Sequence, residues 1–502
     1  MNLPAVIIGA IFYAGLAVAL GFLFVFFIRY FIDKEDAGDC FTTFITWLTF
    51  VLTSVIILML PFDVICAPDS KLYMPIVWQI FMIALAVLVI ILIPFTICFY
   101  EQDGGLLKRV GTGLIWAFFS IVVWLVLIIV LWAVIGTAEV SLITKSSFAV
   151  EEAANIEDLI IKASEMDTEV PHKLIIKIKT TLPVYAVCFI SLIGWILFLI
   201  WGGCGMFTLP LDLILDFVYR PKKLTAAQYL LYKRQLLNKA QQLKEQVAIM
   251  KTAVSEEAAS QSEKKEGVVK ELISSRRMKL TADQKKQLRI FHEDLDEISS
   301  AYDQVRYVED AEHYNVFIPW LKLILGCVFL LFALLWLLQV ILCSVLQKYH
   351  FVSDLLVWLD KYVLFLGAGL YAAMILYMTL SILKGNILIG TKFFLISLYP
   401  MKKGATLPNA LLFNGMLFGL AAFALIQFSA TAFDEYVHNS AVKGLFVTQL
   451  RNMMGVKYVF EYVNYVFLGI VVLGIVFALV ISVCLKKHRK HKIERDTRLK
   501  RI

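Results

Sequence analysis

Residues 219–250 read YRPKKLTAAQYLLYKRQLLNKAQQLKEQVAIM, and residues 281–305 read TADQKKQLRIFHEDLDEISSAYDQV. With the Ser/Glu/Lys-rich stretch 253–267 between them, they make a charged block from Tyr219 to about Tyr314 in a chain that is otherwise nearly all apolar. In the first piece Tyr229, Leu236, Leu243 and Met250 recur every seven residues. In the second, Leu288, Leu295 and Tyr302 interleave with Phe291, Ile298 and Val305, the a/d pattern of paired helices. Thr281 and Gln284 form a capping box that opens the second helix, whereas 253–267 has no apolar period and reads as a loop. The block predicts an antiparallel helical hairpin at 224–312, standing in water.

Moving outward from it, five apolar runs precede the block and four follow: about 4–29, 40–61, 75–100, 112–136, 181–206, 316–346, 362–384, 407–430 and 463–485. A run of about 20 apolar residues matches the hydrocarbon core of a bilayer. The fold class expected is an all-α polytopic membrane protein with about nine transmembrane helices and a cytosolic hairpin between spans five and six. Its parts are a first membrane half, 1–218, the hairpin domain, 219–315, a second membrane half, 316–485, and a basic tail, 486–502. Of the 502 residues 60% are hydrophobic and 17% charged, against roughly 25% charged in soluble domains. The net charge of +7 does not point to nucleic acid, because lysines and arginines gather beside the ends of the runs. The lipid bilayer is the partner this composition is built for. Arg29, Lys34, Lys108, Arg109, the basic block, Lys392, Lys402, Lys403 and the tail all fall on one side when the N-terminus is outside and the C-terminus inside. The first 28 residues hold no Lys or Arg, so the first run is expected to stay as a span.

Several chemistries are not indicated. The eight cysteines are scattered singly, with no Cys-x-x-Cys pair; Cys66 and Cys343 belong to one face and read as separate small apolar residues in preference to a disulfide. There is no Gly-x-x-x-x-Gly-Lys-Ser/Thr loop, no His-Glu-x-x-His pair and no Gly-x-Ser-x-Gly elbow. We therefore expect no enzyme, no catalytic residues, no metal site and no covalently bound cofactor. The spans carry essentially no charge at mid-depth, which argues against a proton relay. His172, His350 and His438 read as ordinary outer-surface histidines.

One short motif occurs twice: Leu60-Pro61-Phe62-Asp63-Val64-Ile65 at the end of the second run, and Leu209-Pro210-Leu211-Asp212-Leu213-Ile214 after the fifth. Pro61 and Pro210 are expected to end their helices, since proline lacks the amide donor. Asp63 and Asp212 then cap the next helix, or line a pathway together with Asp216. Residues 209–219 and 385–400 are too short to span and read as segments lying in the interface. In the hairpin, Leu288, Phe291, Leu295 and Ile298 are the partner-binding candidates.

These pieces occur in an order that resembles the limb-region-protein membrane family, whose members include lipocalin-interacting receptors and the lysosomal cobalamin transport escort branch. The stretches carrying the resemblance are Leu60 to Ile65, Pro94-Phe95 leading to Tyr100-Glu101, Gly205-Met206 before Leu209-Pro210-Leu211, Lys285-Lys286-Gln287-Leu288, Gly404-Ala405-Thr406, and Pro408 with Ala410-Leu411-Leu412-Phe413. The last two look closest to the cobalamin branch. The resemblance implies a lysosomal or endosomal membrane protein that works with an ABC transporter to export vitamin B12 from lumen to cytosol. Cobalamin would then be cargo, and no Asp-x-His-x-x-Gly signature supports its direct binding here. Two alternatives stand beside it: a cell-surface endocytic receptor for a lipocalin-like ligand, in the plasma membrane, and a transporter with its own substrate path.

Overall fold

In the computed structural model, the residues described are 3–32, 40–66, 73–102, 104–143, 173–179, 182–218, 233–242, 317–346, 350–363, 365–389, 391–393, 396–398, 406–444 and 457–480, with a few isolated positions. Eleven helices are named here in chain order: α1 Leu3–Phe31, α2 Cys40–Cys66, α3 Met74–Val87, α4 Ile93–Glu101, α5 Leu106–Ile135, α6 Leu182–Val218, α7 Phe317–Gln339, α8 Phe351–Tyr362, α9 Leu366–Ile389, α10 Pro408–Ala432 and α11 Lys457–Ala478. A π-helical turn, Leu88–Leu92, joins α3 to α4, and a second, Val340–Val345, extends α7. Two short antiparallel ribbons complete the set, β1 Thr137–Ile143 with β2 Lys173–Lys179, and β3 Thr391–Phe393 with β4 Ile396–Leu398.

Among the described residues eight helices are long and apolar enough to cross a membrane, and the shorter apolar stretch Tyr462–Ala478 lies where the ninth span was expected. The protein is a polytopic helical membrane protein. Its chain divides into two compact units, Met1–Leu215 with Ile324–Ile502, and Asp216–Leu323. Within the smaller unit Asp216 faces Lys322 at 3.9 Å, Phe217 packs on Trp320 at 5.0 Å, and residues 233–242 are helical. The second hairpin helix, with Leu288, Phe291, Leu295 and Ile298, lies outside the described residues.

In the larger unit the centre is α10. Nearly every one of its residues is buried, and its sequence shows why: Gly415, Gly419, Ala421, Ala422, Ala424 and Ala430 let neighbouring backbones come close. α5 is the opposite case, most of its apolar residues exposed, as suits a span with one face on lipid. A chain of aromatic rings knits α6, α7, α9, α10 and α11 together. Phe198 stacks on Phe467 at 5.4 Å, Phe428 on Trp336 at 5.3 Å, and Tyr371 meets Phe433 at 5.0 Å. Such pairs add about 0.5–1.5 kcal/mol each beyond their buried area.

The prolines correct two expectations. Pro61 does not end α2, which runs on to Cys66, and Pro210 does not end α6, which is continuous over 37 residues to Val218. Residues 209–218 are thus the last turns of a helix about 55 Å long, and residues 385–389 complete α9 before the β3–β4 ribbon begins. At Pro210 the physical reason is that a neighbouring hydroxyl replaces the missing donor. Proline at 210 deprives the Met206 carbonyl of its amide partner, and the Tyr377 hydroxyl of α9 donates to that carbonyl instead. Proline at 94 does the same to the Ile90 carbonyl, and Ser120 Oγ of α5 donates to it at 2.8 Å. With no water available in the hydrocarbon region, such substitutes are what keep a proline-bearing span intact.

Removing one of these donors strands a carbonyl, so Tyr377→Phe is expected to lower stability by about 1–3 kcal/mol. Pro210→Ala in the same chain restores the amide and should recover much of that loss. Thermal unfolding of the four members of the cycle in lipid nanodiscs measures the coupling; additive effects would refute the substitution of Tyr377 for the lost amide.

Candidate functional site

Asp63 sits one turn before the end of α2 and is only 1% exposed. A carboxylate there needs donors, and three converge on it. Trp78 Nε1 of α3 donates to Oδ2 at 2.9 Å, the Val442 amide donates to Oδ2 at 2.9 Å, and the Ala441 amide donates to Oδ1 at 3.3 Å. Asp63 therefore does not cap α3, the next helix, but takes the first amides of the helical turn that begins at Ala441. It pins the segment after α10 against the end of α2 and the start of α3.

The same segment is held twice more. Asp360, at the end of α8, accepts from the Gly367 and Ala368 amides at 2.7 and 3.2 Å, capping α9, and its other oxygen accepts from the Tyr436 hydroxyl at 2.6 Å. Gln339 of α7 donates through Nε2 to the Ala432 carbonyl at 2.6 Å and to Ser353 Oγ of α8 at 3.1 Å. Residues 432–442 thus form a plug tied by two carboxylates and an amide to α2, α7 and α8. Burial, then the Asp360 carboxylate, push the Tyr436 phenol well above its ordinary range, so its proton stays on to donate.

At the far end of the bundle, Asp212 of α6 pairs with Lys384 of α9 at 2.6 Å, each side chain about a quarter exposed. Glu101 accepts from Asn409 Nδ2 at 3.2 Å, joining α4 to the start of α10. The Gly404 and Thr406 amides donate to the Tyr30 and Phe31 carbonyls at 3.1 and 3.0 Å and close the end of α1, with Gly404 at a φ of +62 that a side chain would strain. Tyr371, beside the plug, and Lys384 are separated by about 20 Å along α9. Asp63 and Asp212 therefore lie near opposite ends of the bundle. Pro61 and Pro210 lie within helices beside these two residues, and Asp216 makes the separate pair with Lys322 described above.

Asp360, Tyr436, Gln339 and the buried trio of Gln427, Ser191 and Trp195 went unmarked by sequence reasoning. Ser191 Oγ and Trp195 Nε1 both donate to Gln427 Oε1, at 2.8 and 2.9 Å. A glutamine in the middle of an apolar run is the signal that was available. Among the described residues no three His, Cys, Asp or Glu side chains come together as a metal site, and Cys66 and Cys343 are not joined in a disulfide.

Replacing Asp63 with Asn turns one acceptor into a donor facing amide and indole N–H groups. The expected result is a loss of about 1.5–3 kcal/mol and faster hydrogen exchange at residues 436–444, read by mass spectrometry; exchange unchanged there would count against the plug. Tyr436 supplies a pH test. Its raised pKa means its contribution is intact below about pH 10, where the unfolded phenol is also neutral, and falls as pH rises beyond it. Stability should decline above that pH with a slope shallower in Tyr436→Phe by about 1.4 kcal/mol per pH unit, measured by chemical unfolding.

Several of the stretches that tie the bundle, around Asp63, Glu101, Pro210 and Gly404, are also those on which the sequence resemblance rests. No solved structure matches the chain. A family model described as LMBR1-like membrane protein matches residues 9–485. Two LIMR family proteins of Arabidopsis thaliana are 29% and 30% identical over 466 residues, covering 88% of this chain and 89% of theirs. A LIMR family protein of Dictyostelium discoideum is 25% identical over 482 residues, 88% of this chain and 90% of its own. With its spans, its terminal ties and nearly its whole length accounted for in that match, the chain belongs to the LMBR1-like membrane protein family.

Proposed function

We propose that this protein is a lysosomal or endosomal membrane escort that works with an ABC transporter in moving cobalamin from lumen to cytosol, with the Asp63 end of the bundle toward the lumen. One observation carries the reading against an ion-coupled transporter: four carboxylates at the bundle ends, Asp63, Glu101, Asp212 and Asp360, have partners inside the protein. A relay carboxylate has to exchange its proton with a moving substrate or water, and these are occupied holding helices and the plug in place. The sequence brings no nucleotide-binding loop, so the energy for export has to come from a partner. The charged block 219–315, with Leu288, Phe291, Leu295 and Ile298, is the arm by which that partner would dock. The order of motifs shared with the cobalamin branch supplies the cargo.

Affinity capture of the tagged, detergent-solubilised protein from its own cells, with mass spectrometry and corrinoid analysis of the eluate, is the test. The expected result is an ABC transporter in the eluate, lost when 224–312 is deleted while the spans remain inserted. A secreted ligand or an endocytic coat, with no transporter, would overturn the escort reading in favour of a surface receptor.

A further inference from the structure

The 12 residues of α8 present three kinds of side chain, each on its own side of the helix. At about 100° of turn per residue, Phe351, Leu355, Trp358 and Tyr362 fall within about 60° of one another. Phe351, Trp358 and Tyr362 are each more than half exposed, and the rings of the last two meet at 4.7 Å. Val352, Ser353 and Leu356 are buried and look away from that stripe. Asp354 and Lys361, two turns apart, share a third side, with Val357 next to them. A helix with an inward side, an apolar side and a charged side is built for three neighbours at once: protein, the edge of the hydrocarbon, and water.

Contacts on the inward side set its level. Ser353 Oγ accepts from Gln339, the last residue of α7, at 3.1 Å, and the span that contains α7 ends at Cys343. Asp360 accepts from the amides of Gly367 and Ala368 in the first turn of α9. A β-carbon built on Gly367 would strike the Leu356 carbonyl, so α8 lies directly against the start of that span. Both halves of α8 are thus held where neighbouring spans leave the hydrocarbon. Tryptophan and tyrosine gather at that depth, since the ring is apolar and its polar edge reaches water.

We infer that Phe351, Leu355, Trp358 and Tyr362 are a lipid-docking surface, and that α8 lies along the boundary between headgroups and acyl chains in the leaflet at the plug end. The exposed Leu334 and Leu338 of α7 meet the acyl chains deeper in the same leaflet. Asp354 and Lys361 stay in the headgroup water. Because Ser353 and Asp360 hang from its inward side, the same helix carries the lipid contact to Gln339 and Tyr436, and so steadies the plug. This surface stands whether or not the protein needs a transporter partner, since it follows from α8 and the two spans it joins.

The probe is phosphatidylcholine itself. The protein carrying Trp358→p-benzoylphenylalanine or Tyr362→p-benzoylphenylalanine is placed in phosphatidylcholine nanodiscs, illuminated and read by mass spectrometry, with the same photoreactive residue at Asp354 and Lys361 as controls. Adducts on the acyl chains are expected at 358 and 362 and not at 354 and 361. Cross-linking at 358 and 362 to a second copy of this chain, no lipid adduct at either, or equal adducts at all four positions would overturn the inference. A carboxylate gives an independent reading if a labelled variant does not fold. Trp358→Glu, which sends charge into lipid, is expected to lower the melting temperature more than Val357→Glu, which meets water; equal shifts would overturn the inference as well.

Discussion

Inside a bilayer every backbone amide and carbonyl must find its partner within the protein, and the rest of this structure is arranged around that requirement. It explains why the bundle tolerates Pro94 and Pro210 within its helices: Ser120 and Tyr377 on adjacent helices satisfy the Ile90 and Met206 carbonyls that those prolines release. It also explains what the hydroxyls on α2, α4, α6 and α9 are used for. Thr46, Thr49, Thr96, Thr208, Thr379 and Ser381 each bond a carbonyl one turn back in their own helix. A hydroxyl satisfied in this way can sit in a helix interface without demanding anything of its neighbour.

The same requirement shapes the bundle ends, where helices stop and backbone groups come free. At one end two aspartates and a glutamine gather the loose amides, the Tyr436 hydroxyl and the Ala432 carbonyl of the plug. At the other, the Asp212–Lys384 pair and the Glu101–Asn409 bond fasten α6 to α9 and α4 to α10. An aspartate that accepts three hydrogen bonds is expensive to remove from its place, so the ends are rigid where they are tied.

Much of the architecture could be read from residue order, because span length and the absence of mid-depth charge are properties of single segments. The repeated Leu-Pro-x-Asp motif stood out in the sequence, yet its local mechanism was misread. Proline was given the meaning it has for an isolated helix, and the donor that rescues Met206 comes from Tyr377, 171 residues away. Asp63 was read as a local cap, while two of its three donors lie 378 and 379 residues further along. Gln339 and Asp360 were invisible for the same reason: nothing within a few positions of either shows that the turn after α10 will return to meet it. Local chemistry was legible and long-range pairing was not.

The burial of α10 has a consequence for how the protein is made. Helices leave the ribosome in chain order, and the helix against which α2 lays its threonines is the last but one to appear. Until residue 432 has been synthesised and inserted, α2, α4 and α6 lack the neighbour that covers Thr49, Thr53 and Ser191. The early spans must therefore wait in the membrane as a loose assembly, with polar groups turned toward lipid or toward a chaperone. Cellular quality control will meet this protein at that stage, and a nascent chain that halts before α10 carries its helices without the piece that makes them a bundle.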